Sequence, residues 1–123
     1  MRRLIGLALL ALSATLANAG ALSSAAKPEI DALLSRLETS GCQFYRNGSW
    51  LTGPEAADHL KTKLAYLVKS GSITTADEFI EKAATKSITS GQPYKLRCAN
   101  QEAQPSAVWL GNELRRLREA PTH

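Results

Sequence analysis

The chain has 123 residues, 44% of them hydrophobic, and carries 15 basic against 11 acidic side chains, a formal net charge of +4. That length suits one domain with one core. Two of the positive charges, Arg2 and Arg3, fall in an N-terminal export signal, so the rest balances 13 against 11, or +2; that gives little support to a nucleic-acid partner, which needs a concentrated basic face, and no nucleic acid is expected.

The export signal is read from three features in order. Met1-Arg2-Arg3 is a short positive segment, Leu4 to Leu16 is apolar, and Ala17-Asn18-Ala19 has the small-x-small form that signal peptidase accepts. Residues 1–19 are therefore expected to be a cleaved signal peptide. The apolar run is shorter than the ~20 residues of a permanent span, so no transmembrane anchor is expected after cleavage. The expected location is periplasmic or secreted, with the periplasm of a Gram-negative bacterium favoured. Residues 20–27, small and polar, are expected to form a flexible leader, and residues 28–119 a single globular domain.

Pro28 suits the first turn of a helix, and Ile30, Leu33, Leu34 and Leu37 follow at helical spacing until Gly41. Asn47-Gly48 then stands between two alternating runs and predicts a tight hairpin, because both turn residues must take positive φ. Thr52-Gly-Pro-Glu55 reads as a capping box for a second helix that buries Ala57, Leu60, Leu64, Leu67 and Val68 and stops at Ser70-Gly71. Thr75-Ala-Asp-Glu78 repeats the capping pattern, and Ala76, Phe79, Ile80 and Ala83 form the third helix's stripe. A third strand is expected from Tyr94 to Cys98. A polar loop to Pro105 leads into a fourth helix that buries Ala107, Leu110, Leu114 and Leu117.

Cys42 and Cys98 are the two cysteines of the chain. An isolated pair in an exported protein is most simply a disulfide. Because strand side chains alternate faces, the bond has consequences for register. Cys42 and Phe44 share one face of the hairpin, Leu51 lies opposite Phe44, and Tyr94, Leu96 and Cys98 share one face of the third strand. Joining the cysteines places all six toward the core. Gln43, Tyr45, Trp50, Lys95 and Arg97 are left on the other face, with Tyr45 and Trp50 paired across the hairpin. The expected fold is α+β: about four helices packed on a small three-stranded antiparallel sheet, clipped by Cys42–Cys98.

Candidates for chemistry are few. His59 is the one internal histidine, and Glu55, His59 and Lys63 recur at i, i+4, i+8 on the second helix. The plainer account makes Glu55 a cap and His59 a boundary residue with one local hydrogen bond. Ser87 and Ser90 could serve as nucleophiles only with His59 as base, and neither has a G-x-S-x-G context. One histidine without clustered carboxylates makes no metal site, and no cofactor is expected. No catalytic residue is therefore assigned. The outer sheet face, with Tyr45 and Trp50 beside Lys95 and Arg97, is an amphipathic platform that could stack on a sugar ring or hold an anion; alternatively a helix covers it, or Arg97 merely stacks on Trp50.

The segments "GCQFYRNGSWLTGPEAADHLKTKL", "TADEFIEKAATKSITSGQPYKLRC" and "PSAVWLGNELRRL" resemble a family of small exported bacterial proteins known only as a domain of unknown function. The specific marks are F-x-R-N-G (Phe44 to Gly48), E-A-x-x-H-L-x-x-K (Glu55 to Lys63) and S-x-x-S-G-x-x-Y (Ser87 to Tyr94). The resemblance implies export and a shared fold, and no activity. It directs attention to Arg46, His59, Lys63, Ser87 and Ser90 as polar residues in a signature. The leading expectation is a non-catalytic binding or accessory module for an envelope protein or glycan; the alternative is a small hydrolase using His59 with Ser87 or Ser90.

Overall fold

The computed structural model describes residues 21–120; the expected signal peptide lies outside them. The elements are α1 (Ala26–Glu38), β1 (Gln43–Arg46), β2 (Ser49–Leu51), α2 (Gly53–Lys69), α3 (Ala76–Ala83), β3 (Lys95–Arg97), β4 (Gln104–Pro105) and α4 (Ser106–Glu119). The strands form one antiparallel sheet in the order β2-β1-β3-β4. The α+β expectation holds, with four strands instead of three. β4 escaped the sequence reading because two residues, one of them a proline on the sheet edge, carry no alternation.

The hairpin forms as its sequence demands. Asn47 and Gly48 sit at φ 48° and 91°, both left-handed, and the two-residue turn sets Phe44 against Leu51 and Tyr45 against Trp50. β3 adds on the other side with Phe44 opposite Leu96 and Gln43 opposite Arg97. Cys42 and Cys98 lie just beyond this ladder and are bonded, with Cα atoms 4.2 Å apart. The register that buries the apolar face is thus the one that joins the cysteines.

The helices cover the inner face. Phe44, Tyr94 and Leu96 from the sheet side, Ile30, Leu33 and Leu37 of α1, Leu60 of α2, Phe79 of α3 and Leu110 of α4 are all buried in one cluster with Ile73. Leu64, Val68, Ala107 and Leu117, expected inside, pack at its margin and stay partly exposed. Helix α1 starts at Ala26, ahead of Pro28, and the leader is engaged where it is described: Leu22 packs against the core, and the Ser23 N–H donates to the Thr74 carbonyl at 2.9 Å.

Helix α2 carries the site and is held at both its start and its side. Thr52 Oγ1 accepts from the Glu55 N–H while the Glu55 carboxylate accepts from the Thr52 N–H, a complete capping box. Gly53, its first residue, lies against the end of α1: a Cβ there would stand 2.6 Å from the Leu37 carbonyl oxygen and 2.9 Å from that of Glu38. Only glycine allows that approach of backbone to backbone. At α3 the box is modified, since Thr75 caps the Glu78 N–H but the Glu78 carboxylate turns to the N–H and hydroxyl of Thr74. Arg118 of α4 ties the helices on the outside, binding Glu29 of α1 with two nitrogens and Asp77 of α3.

Candidate functional site

Arg46 is the last residue of β1 and alternates onto the same side as Phe44, so it points along the inner face toward α2. Its Nε–H donates to His59 Nε2 at 3.1 Å. The Tyr94 hydroxyl is also 3.1 Å from that nitrogen, and Lys63, one turn after His59, donates to the same hydroxyl at 3.1 Å. Lys63 makes a second bond at 3.2 Å to the carbonyl of Lys86. An imidazole nitrogen that accepts an N–H cannot carry a proton, so Nε2 presents its lone pair and the ring is neutral with Nδ1 protonated. The Tyr94 hydroxyl, accepting from Lys63, is left to donate to Nε2, sharing it with Arg46.

Electrostatics enforces that state. Burial pushes the His59 pKa below its ordinary 6.5, and the positive charges of Arg46 and Lys63 push it the same way. Tyr94 is 1% exposed and holds the floor. Its ring meets Phe44 at a centroid distance of 5.0 Å and His59 edge-on at 5.9 Å, while Lys63 Nζ stands 4.9 Å from its centroid. Its main chain is pinned as well: the N–H donates to the Thr85 carbonyl, and the carbonyl accepts from Ser106 at the start of α4.

The segment 87–91 forms the remaining wall. Ser87, 2% exposed, accepts from the side-chain amide of Asn47 at 3.0 Å and pairs with the Thr89 hydroxyl at 3.0 Å. Ser90 donates to the other end of the Asn47 amide, and its oxygen accepts from the Gln92 N–H, the turn expected at Ser90-Gly91. Arg46, His59, Lys63, Ser87, Thr89 and Tyr94 line one cleft of about 170 Å³, with Ile88 on its rim, 71% exposed. Ser90 stands behind it, joined through Asn47.

Among the described residues no carboxylate comes within ion-pair distance of Arg46 or Lys63, whereas some of the cations beside two larger hollows are paired. Arg118, beside a hollow of about 410 Å³ between α3 and α4, is bound by Glu29 and Asp77; Arg36 and Arg116, beside one of about 580 Å³ near the disulfide, share Glu113.

The candidate residues named from the sequence fall into two groups. Arg46, His59, Lys63 and Ser87 converge. His59 is no isolated boundary residue with one local bond; its partners are 13 and 35 positions away. Glu55, by contrast, is occupied as a cap. Tyr45, Trp50, Lys95 and Arg97 lie on the opposite face of the sheet as expected, and there they satisfy one another. Tyr45 and Trp50 are 5.2 Å apart, Lys95 sits 5.4 Å from the Tyr45 ring, and Arg97 lies 3.9 Å from the Trp50 ring while donating to Gln43 at 2.8 Å. Three participants in the cleft network, Tyr94, Asn47 and Thr89, were not among the candidates. Tyr94 was read only as a core residue, although a buried phenol must find a partner for its hydroxyl. Asn47 was read only as a turn former.

Fold and cleft together define a small disulfide-clipped α+β domain with a cationic, carboxylate-free recess between its hairpin and its second helix. The chain belongs to the family of unknown function DUF5329, which it matches over residues 24–118. Membership of an uncharacterised family, expected from the three sequence marks, is thereby borne out. No curated protein and no solved structure matches the chain.

Proposed function

We propose that this protein is an exported, non-catalytic binding module for an envelope component, and that the component binds in the cleft of Arg46, His59, Lys63, Ser87 and Tyr94. The observation that carries the reading is the convergence, from segments far apart in sequence, of two unpaired cations with a neutral imidazole. Two like charges held close together favour an anionic partner between them.

Binding is favoured over hydrolysis because both halves of a serine–histidine pair are engaged elsewhere. The nitrogen that would take a serine proton already accepts from Arg46 and Tyr94, and two neighbouring cations make His59 a weaker base. Ser87 and Ser90 bond to Asn47, not to His59. Export is supported by the Cys42–Cys98 bond, which suits an oxidising compartment, together with the signal read at residues 1–19. No helix among the described residues is long and apolar enough to cross a membrane.

The test is retention on immobilised protein from envelope extracts. Arg46→Gln and Lys63→Gln are expected to lose the retained component, while Trp50→Ala and Arg97→Ala keep it. The reverse pattern moves the site to the outer sheet face, and absence of any retained component ends the binding reading.

A further inference from the structure

We propose that the cleft is a receptor for an oxyanion, a phosphate or carboxylate group that the ligand presents between Arg46 and Lys63. This rests on the cleft being the binding site.

The hydrogen-bond inventory leads there. Arg46 commits its Nε–H to His59, and among the described residues neither terminal nitrogen of its guanidinium has a protein acceptor. Lys63 gives two of its three N–H groups to neutral oxygens, the Tyr94 hydroxyl and the Lys86 carbonyl, and keeps one. The free donors are thus a guanidinium edge and one ammonium N–H, facing a recess with no carboxylate to meet them. A guanidinium edge matches the two oxygens of a carboxylate or phosphate. A cation is repelled, and a neutral sugar leaves both charges unmatched.

His59 acts here as a positioning residue. Its lone pair fixes the guanidinium without neutralising it, as a carboxylate would do. Tyr94 does the same for Lys63. Both cations are held in place by neutral partners, so the whole of their charge remains for the ligand.

Size limits what enters. The cleft of about 170 Å³ is well below the ~300–1,000 Å³ of a pocket that encloses a whole small molecule. It takes a headgroup, and the rest of the ligand leaves past Ile88.

The experiment uses the full chain with its disulfide intact and His123→Gln, so that His59 gives the one imidazole signal. Inorganic phosphate and sodium acetate are titrated separately at constant ionic strength while that signal is followed by NMR. Saturable binding is expected to at least one of the two, and the bound anion should move the His59 titration midpoint upward, because a nearby negative charge favours imidazolium. Arg46→Gln and Lys63→Gln should each weaken binding at least tenfold, and Arg97→Gln should leave it unchanged. Response to phosphate alone or to acetate alone names the group. No saturable response to either anion overturns the proposal, as does equal weakening by Arg97→Gln. Lys63, half-buried on α2, carries the test should Arg46→Gln fail to fold. Extract retention that depends on Arg46 and Lys63, without any anion response, would sink the oxyanion and leave the binding module standing.

Discussion

Arg46 donates its Nε–H to His59 Nε2 across 3.1 Å, so a strand residue and a helix residue fix each other's orientation, and the accepting nitrogen carries no proton. Burial of His59, and after it the charges of Arg46 and Lys63, make folding stability sensitive to pH. The folded pKa of His59 lies below its ordinary 6.5, so the unfolded chain binds the proton first. The contribution is complete above about 6.5 and is lost as pH falls from there through the lowered folded value. Urea unfolding between pH 7.5 and 5 should show stability decreasing in that window, with a flatter profile for His59→Gln. An identical slope in the variant would assign the effect to other groups.

Gly53 sets the position of α2 by its contact with the last carbonyls of α1. Gly53→Ala adds one methyl at 2.6 Å from a backbone oxygen that has no rotamer to change. A loss of about 1–3 kcal/mol is expected from such overpacking, read by urea denaturation. A neutral result would mean that the two helices separate at no cost.

Ser106 Oγ is buried and has no hydrogen-bond partner among the described residues. Removing an unsatisfied buried hydroxyl removes its desolvation cost. Ser106→Ala should therefore leave stability unchanged or raise it by up to about 1 kcal/mol in the same assay, against the usual trend of core substitutions.

Asn47 does two jobs, and two substitutions separate them. Asn47→Gly keeps the positive φ of the turn but deletes the amide that grips Ser87 and Ser90. Hydrogen exchange at Gly91 and Gln92 should accelerate while the β1–β2 ladder stays protected. Asn47→Ala should loosen both.

Reducing the Cys42–Cys98 bond opens a loop of sequence separation 56. The chain-entropy relation gives a loss of about 4 kcal/mol. Thermal unfolding of the protein with and without reductant measures it, and a Cys42→Ser, Cys98→Ser double variant should match the reduced form.

Much of the frame was legible in the sequence. Asn47-Gly48 fixed the hairpin, and the alternation of Cys42, Phe44, Leu96 and Cys98 fixed its partner strand, because a single register satisfies both burial and the bond. The cleft was only half legible. Arg46, His59, Lys63 and Ser87 were visible as polar residues in a family signature, but not their convergence, since contacts across 13 to 40 positions depend on how α2 and the 87–91 segment pack. Tyr94 shows why: alternation places its ring in the core, and nothing in a pattern of apolar spacing says where a hydroxyl at the far end of that ring emerges. The platform of Tyr45, Trp50, Lys95 and Arg97 was legible as a face, and so was the stacking of Arg97 on Trp50; the approach of Lys95 to Tyr45 and the bond from Arg97 to Gln43 were not.

Hairpin tips generally tolerate extra residues, but this one should not. The turn joins Arg46, which alternation aims at His59, to Asn47, whose amide clamps the neighbouring segment. Adding one residue between Tyr45 and Arg46 would shift strand parity by one, setting the newcomer toward α2 and turning the guanidinium out to water. The count of residues between Cys42 and Gly48 is therefore constrained from both ends, by the disulfide and by the reach of Arg46 to His59.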